Sequence, residues 1–331
     1  MLSELNIMMN SICGKTNTLQ SNLISSSHVK HDYCVSLVKS ILSKHSLKSL
    51  LPVLYLLLFV IYGLGDKLRN FVVGIFIPQY HYPYAVALCF GQVVISILFL
   101  NLLHFLGAVS LKSYTRLLGE KLLVPSICSS LYGVLSMWVK ANSSTSGLLP
   151  VVLPLLPLVT MALSFLLKLQ SPLHSTHVSV ILSFFSCSAL VITVSRGVAG
   201  INSLEYIYAA LALLLFSVSL IWLAQVSKLE HCHPSNAQAS VFDIYYAHLV
   251  NQSGVLGLLW LLHSDNPWHV LSQGHWQILL FHGYLSAILL LGMVLNFFVG
   301  VTVLCFSPLA GAVLHSSYNL IVPFLQIYLF M

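Results

Sequence analysis

The sequence predicts an all-α polytopic membrane protein. Of its 331 residues, 58% are hydrophobic and only 7% are charged, whereas a soluble domain carries about 25% charged residues. The mean hydropathy is +0.91. The apolar residues form segments with short connections, and most segments are near the roughly 20 residues that a helix needs to cross a bilayer. A soluble fold could not cover this much apolar surface with so few charges, so we expect an integral membrane protein.

Nine apolar segments follow a polar N-terminal tail, residues 1–49. The first segment ends either at Gly65 or near Ile77, and in the second case the charges within Asp66–Arg69 become buried and need partners. The segments that we expect to cross the membrane are Leu50–Gly65, Tyr84–Leu106, Leu122–Val139, Gly147–Leu167, Val178–Val194, Leu204–Val226, Ser240–His263, Ile278–Phe306 and Pro308–Phe330.

The distribution of basic residues predicts that the N-terminus is cytosolic. With nine spans and this orientation, ten of the 14 basic residues lie on the cytosolic side, where Lys and Arg are enriched in membrane proteins. The basic residues are scattered singly at segment ends, so the net charge of +6 does not indicate nucleic-acid binding. The four residues on the opposite side are Lys67, Arg69, Lys140 and Arg196.

Prolines interrupt two of the segments. The fourth reads GLLPVVLPLLPLVTM, and the ninth reads SPLAGAVLHSSYNLIVPFLQ with Pro308 and Pro323. Proline removes a backbone donor and bends or breaks a helix, although membrane helices also tolerate it without consequence. If the chain is two five-span repeats, at about 50–195 and 204–331, the two segments occupy matching places. Broken helices at matching places indicate a transporter binding site.

Polar and aromatic side chains form faces on the seventh and ninth segments. At 100° per residue, the face on the seventh covers an arc of roughly 120° and that on the ninth about 100°. Polar side chains at membrane depth are costly and usually face a bundle interior or a water-filled cavity. We therefore predict that both faces contact a substrate. The predicted binding residues are Tyr245, Tyr246, His248 and Asn251 on the seventh segment, and His315, Ser316, Tyr318 and Asn319 on the ninth.

Three stretches of the sequence resemble a known family. FDIYYAHL (Phe242–Leu249) looks like a seventh-helix signature in which an acidic residue precedes Phe/Tyr-Tyr-Asn-Asn. Residues 291–323 are similar to an eighth and a ninth helix joined by a Ser-Pro-Leu step, and YHYPYAVALCFGQ (Tyr80–Gln92) is similar to the start of a second helix. From about Leu50 to its end, the chain thereby resembles the nucleotide-sugar and triose-phosphate transporters of the drug/metabolite transporter superfamily.

The resemblance implies a ten-helix fold of two inverted five-helix repeats, of which nine helices are visible and the last is missing. It also implies a location in the Golgi or endoplasmic reticulum membrane. The family holds the nucleotide with a Gly and a Lys on helix nine, and these positions fall on His315 and Tyr318, while the following Asn is kept as Asn319. On helix seven, Ala247 and His248 replace an Asn-Asn pair.

We therefore predict a secondary antiporter that moves a nucleotide-sugar or a related anionic metabolite by alternating access. The eight carboxylates are spread so that no segment pairs two of them, which argues against an acid/base enzyme. We also expect no cofactor and no metal site. The expected partners are the small-molecule substrate and membrane lipid, with a homo-oligomer left open. The alternative is a non-transporting paralogue that acts as a membrane scaffold or regulates other transporters, which the missing lysine and tenth helix favour.

Overall fold

The computed structural model describes residues 51–80, 85–142, 148–167, 176–195, 203–232, 239–262, 272 and 276–330. Every regular element within these ranges is helical. The chain divides into two compact units, Met1–Leu56 and Leu57–Met331. The predicted tail, residues 1–49, lies outside the described residues, and the site described below lies within the second unit.

The helices are numbered here in chain order. They are α1 (Leu51–Tyr80), α2 (Ala85–Phe105), α3 (Arg116–Asn142), α4 (Leu148–Val152), a 3₁₀ turn (Leu153–Leu155), α5 (Leu156–Leu166), α6 (Thr176–Ser195), α7 (Ser203–Cys232), α8 (Val241–Leu262), α9 (Leu279–Cys305), α10 (Pro308–His315) and α11 (Ser317–Phe330).

Five helical stretches in the described part of the chain are long and apolar enough to cross a membrane. Large apolar side chains also point away from the bundle, among them Phe71, Phe105 and Leu279, the last two at 87% exposure. Lipid, unlike water, solvates such a surface, so the structure is consistent with a multi-pass membrane protein. The five stretches are Ala85–Phe105, Arg116–Val139, Leu148–Leu166, Leu204–Glu230 and Leu279–Cys305.

The first helix takes the longer of the two predicted courses. It continues without interruption past Gly65 to Tyr80, so the charges that the shorter course placed in a loop lie on a helix instead. Asp66 is buried, Arg69 is half-buried and Lys67 is exposed. The expectation that this course buries all three charges is therefore correct for Asp66, correct in part for Arg69 and wrong for Lys67. Lys67 is exposed on the outer face of the helix and forms no salt bridge with another described residue.

Both of the proline-containing segments are interrupted. In the fourth, the 3₁₀ turn around Pro154 separates α4 from α5, as expected where a ring replaces a backbone donor. In the ninth, the break falls at Ser316, and Pro323 lies within α11. Ser316 donates its hydroxyl to the carbonyl oxygen of Ala312 at 2.9 Å, a back-bond that bends helices. Ser96 and Thr160 make the same back-bond within uninterrupted helices, so neither this bond nor Pro323, two turns farther on, explains why the break lies at Ser316.

Helices from the two parts of the chain pack directly against each other. The third helix contacts α7 and α8 along its length, and α2 contacts α8 and α9. These contacts place the polar side of α8 against polar residues of α3. The interior between these helices is where the candidate site lies.

Candidate functional site

A central cavity of about 130 Å³ is enclosed by helices from both parts of the chain. From the first part, α1, α2, α3 and the α4 break contribute to its wall; from the second, α7, α8, α9, α10 and α11 do. Both helix interruptions border the cavity, the first through Pro150 and Leu153 and the second through His315 and Asn319. Backbone at a broken helix is tolerated at membrane depth where it lines such a cavity.

His315 is held between two tyrosines at the end of α10. Its Nδ1 lies 3.0 Å from the hydroxyl of Tyr62, and its Nε2 lies 2.6 Å from the hydroxyl of Tyr132. A neutral imidazole offers one donor and one acceptor, and each phenol can take either role, so both contacts can be satisfied. The ring of Phe216 lies 4.5 Å from the imidazole and stacks on Tyr132 at 4.2 Å between centroids. His315 therefore lines the cavity with both ring nitrogens already engaged.

The polar side of α8 meets α3 as the sequence predicts. The hydroxyl of Ser126 lies 2.9 Å from His248 Nδ1, and Gln252 donates its side-chain amide to the hydroxyl of Ser129 at 2.5 Å. Tyr245, His248 and Gln252 all line the cavity, which confirms that this helix turns a polar face toward the bundle interior. Ser126 bonds only Nδ1 of the imidazole, and His248 Nε2 makes no hydrogen bond to another described residue.

Asn251 leaves this face. Its amide donates to the carbonyl oxygen of Gly119 at 2.7 Å, and its carbonyl oxygen accepts from the hydroxyl of Tyr114 at 2.9 Å. Six residues separate it from Tyr245, which turns it by about 120° on a helix. The structure therefore places Asn251 against the start of α3, outside the residues that line the cavity.

Three other predicted residues also lie away from the cavity lining. Tyr246 packs against the main apolar core. Ser316 is fully buried and its hydroxyl is used by the back-bond to Ala312. Tyr318, at the position of the family lysine, is half-buried and is not part of the cavity wall. Of the eight predicted binding residues, the structure thus brings Tyr245, His248, His315 and Asn319 together.

Several polar groups of the wall lack protein partners. The Nε of Arg69 and the hydroxyls of Ser130 and Tyr245 are buried without a hydrogen bond in the described part of the chain. Asn319 makes no side-chain hydrogen bond to another described residue. Roughly nine in ten buried polar groups in proteins are bonded, and leaving one unbonded is costly. Three of the six buried atoms without a partner in the described residues thus lie at this cavity, where a polar ligand or water can bond them.

The charged residues that sequence reasoning missed lie on α1. Asp66, Arg69 and Asn70 form a charged corner of the cavity. Asn70 donates its amide to Asp66 Oδ2 at 3.2 Å, and Arg69 Nη2 contacts the sulfur of Met137 on α3 at 4.0 Å. The signal was present in the spacing, because residues 62, 66, 69 and 70 share one helix face, and Tyr62 on that face contacts His315. The sequence left open whether the first segment ends before or after these residues, so they were not included in the predicted site.

Two glycines of α9 bring that helix close to the cavity wall. A Cβ at Gly300 would overlap the ring of Tyr245, and a Cβ at Gly292 would overlap the side chain of Gln92. Gln92 donates its amide to the carbonyl oxygen of Ile288 at 3.3 Å, which fixes it against α9. Since small residues allow close helix approach in membranes, these glycines set the shape of the cavity beside Tyr245.

A set of polar contacts closes one end of the bundle. Ser240 and Asp243 form a reciprocal cap at the start of α8, in which each side chain accepts the backbone N–H of the other. The other Asp243 oxygen accepts the backbone N–H of Lys112 at 2.8 Å, and Lys121 pairs with Glu230 at 2.7 Å. The segment between α2 and α3 is therefore bonded to α8, and the start of α3 is bonded to α7.

No protein-family model matches this chain, and no curated protein matches it at a significant level. The resemblance to nucleotide-sugar transporters accordingly stays a prediction. Among the described residues, no group of three or more His, Cys, Asp or Glu side chains is arranged to hold a metal ion. By its geometry, the site can enclose a small polar solute, bond it through unpartnered donors and acceptors, and offer it one guanidinium group.

Proposed function

We propose that this chain is a secondary transporter that exchanges a nucleotide-sugar or a related anionic metabolite by alternating access. The observation that carries the proposal is the central cavity, whose wall is contributed by both predicted repeats and includes both helix breaks. In transporters built from repeats, the substrate lies at the repeat interface beside discontinuous helices. A solute bound here would contact both halves, so rocking of one half against the other would change the side to which it is exposed.

The aromatic and polar wall suits a nucleotide. Tyr245 presents an unpartnered hydroxyl, and the stacked Tyr132–Phe216 pair offers aromatic surface near the centre. A nucleobase gains from aromatic contact and from hydrogen bonds to its edge. His248, Gln252 and Asn319 supply amide and imidazole groups for the base or the sugar. Arg69 supplies the cation that the family places on helix nine.

The nine-span topology, the cytosolic N-terminus and the Golgi or endoplasmic reticulum location belong to this proposal. The five spans identified by length and composition form its minimum, and the nine-span topology requires α1, α6, α8 and the α10–α11 pair to cross as well. The polar face of α8 supports its inclusion, since it is walled in by α3. The proposed transport is driven by an exchanged solute or an ion gradient rather than by ATP hydrolysis.

The non-transporting scaffold remains the second candidate. The observation in its favour is that Tyr318 occupies the family lysine position and lies outside the cavity wall. Under this hypothesis the cavity binds nothing, and its unpartnered groups are met by water alone. The two candidates differ in whether substitutions at the cavity affect solute exchange.

Exchange in liposomes separates them. The purified full-length chain is reconstituted, the vesicles are preloaded with nucleoside monophosphates, and labelled nucleotide-sugars are offered outside. We expect saturable uptake that requires one preloaded nucleotide. Asn319→Leu, which replaces an unpartnered amide of the wall, should abolish uptake at unchanged membrane abundance. Asn251→Leu is the matched control from outside the wall. Equal uptake by the Asn319 variant and the wild-type protein would contradict the site.

A further inference from the structure

The charged corner of the cavity combines an anion and a cation that are not paired with each other. Asp66 and Arg69 are three residues apart on α1, yet no ion pair joins Arg69 to a carboxylate in the described part of the chain. Salt bridges there link Arg116 to Glu120 and Lys121 to Glu230, both outside the cavity wall. Buried or half-buried charges are usually paired, so this corner lacks partners that a ligand could supply.

The free bonding capacity of the corner is specific. Arg69 Nε is buried without a partner, and Nη2 has only the sulfur of Met137 at 4.0 Å, a weak acceptor. Asp66 uses Oδ2 to accept from Asn70, and its Oδ1 has no hydrogen bond to another described residue. The corner can therefore donate several hydrogen bonds to an anion and accept at least one from a neighbouring donor.

The corner also lies at one end of the cavity rather than at its centre. Arg69 is level with Met137 on α3, whereas Gln252 is level with Ser129 on the same helix. Eight residues of helix separate these levels, which is about 12 Å at 1.5 Å per residue. The wall near Ser129 carries amide, hydroxyl and imidazole groups without a full charge. The cavity therefore has a charged end and an uncharged polar end.

We infer, on the basis of the proposed function, that the charged corner binds the sugar-phosphate portion of the substrate. Arg69 donates to the phosphoryl oxygens, for which a guanidinium is well suited because its fork of N–H groups matches their geometry. Asp66 accepts from a hydroxyl of the sugar beside the phosphate, since an ionised carboxylate is an acceptor only. The uncharged end receives the base.

The presence of Asp66 makes the charged corner selective among phosphate compounds. One guanidinium and one carboxylate give the corner no net charge, so a bare phosphate meets the carboxylate as well as the cation. Like charges at close range disfavour binding. A phosphate that carries an adjacent hydroxyl converts that repulsion into a hydrogen bond. The corner should thus prefer a sugar phosphate to a phosphate ester without hydroxyls.

Binding to the purified full-length protein tests this without transport. The probes are glucose 1-phosphate and methyl phosphate, and the readout is the dissociation constant by titration calorimetry. Wild-type protein should bind glucose 1-phosphate at least ten-fold more tightly than methyl phosphate. Arg69→Gln should weaken glucose 1-phosphate ten-fold or more, and Arg69→Lys should weaken it less. Asp66→Asn should weaken glucose 1-phosphate while leaving methyl phosphate unchanged or tighter.

Lys67→Gln is the matched control. It removes a charge from the adjacent position of α1, where the side chain is exposed and outside the cavity wall, and should leave both constants within two-fold. The melting temperature of each unliganded variant checks that it is folded. The inference is overturned if glucose 1-phosphate binds no more tightly than methyl phosphate, if neither binds, or if folded Arg69→Gln and Arg69→Lys both bind like the wild type.

The outcomes for the two proposals are distinguishable. Nucleotide-sugar exchange by the wild-type protein, together with glucose 1-phosphate binding that ignores both Arg69 variants, would retain the transporter and reject the charged corner. Selective binding that depends on Arg69 and Asp66, with no exchange of any nucleotide-sugar, would retain the corner as a binding site and reject transport.

Discussion

His315 Nε2 lies 2.6 Å from the hydroxyl of Tyr132, which joins the end of α10 to the middle of α3. The same imidazole reaches Tyr62 on α1 through its other nitrogen at 3.0 Å. One side chain of the second predicted repeat is thereby bonded to two helices of the first. A group that bridges both halves at the cavity would have to keep or exchange its partners if the halves moved, so the proposed transport would depend directly on this triad.

Replacement of His315 by Leu should abolish exchange and lower stability. It leaves the hydroxyls of Tyr62 and Tyr132 without their partner, and an unsatisfied buried hydroxyl costs about 1–3 kcal/mol. The melting temperature of the detergent-purified protein and the exchange rate in liposomes measure the two effects. The double variant Tyr62→Phe/Tyr132→Phe removes the same two hydrogen bonds and leaves the imidazole nitrogens without these partners, so it should lower the melting temperature as well. A melting temperature for His315→Leu equal to that of the wild type would contradict the triad.

Replacement of Gly300 by Ala should impair solute binding. A Cβ at this position overlaps the ring of Tyr245, and the ring must move into the cavity or α9 must move away. We expect the KM for exchange to rise several-fold with a destabilisation of about 1–3 kcal/mol, as for other overpacked sites. Gly283 on the same helix has nothing within 4 Å of an added Cβ. Gly283→Ala is thus the control, and equal kinetics in the two variants would show that the contact does not shape the site.

Replacement of Asn251 by Ala should change stability without changing solute affinity. The amide bonds Gly119 and Tyr114 at 2.7 and 2.9 Å and contacts no part of the cavity. We expect a lower melting temperature and a KM within two-fold of the wild-type value. A large rise in KM with an unchanged melting temperature would instead support the sequence-based prediction that Asn251 binds substrate.

The orientation of the chain can be tested at the segment between α2 and α3. If the N-terminus is cytosolic and α1 and α2 both cross, Ser113 lies on the cytosolic side with Lys112 and Arg116. In a variant without its native cysteines, a cysteine substituted for Ser113 should react with a membrane-impermeant maleimide only when the cytosolic face is accessible. An N-terminal epitope should be accessible under the same conditions. Opposite accessibility of the two sites would contradict the predicted topology.

The sequence predicted the helices and one face of the site well, because both depend on local patterns. Most helix ends lie within about three residues of the predicted apolar segments, but α1 continues to Tyr80, α3 begins six residues before Leu122 and α7 ends six residues after Val226. The spacing of Tyr245, His248 and Gln252 correctly turns them inward. The pattern could not predict which polar residue finds a partner elsewhere. Asn251 is only 100° from Gln252 on the helix, yet it bonds the start of α3, which no local pattern reveals.

The charged corner was missed for a different reason. Hydropathy alone cannot decide whether a helix continues through Asp66, Lys67 and Arg69, because the cost of three charges depends on where each side chain points. The structure turns Lys67 outward and the other two inward. Similarly, Ser316 is contiguous with His315 in the sequence, but its hydroxyl bonds its own helix. Tertiary packing, rather than spacing, selects which of these residues face the cavity.

Counterflow exchange by the wild-type chain is the most direct test of the proposal that this chain is a transporter. Liposomes that contain the folded, correctly inserted protein are preloaded with single nucleoside monophosphates and offered a labelled panel of nucleotide-sugars. We expect saturable uptake of at least one nucleotide-sugar, dependent on one preloaded nucleotide and absent in Asn319→Leu. Uptake indistinguishable from that of protein-free liposomes, for every sugar and every preloaded nucleotide, would contradict the proposal that this chain is a transporter.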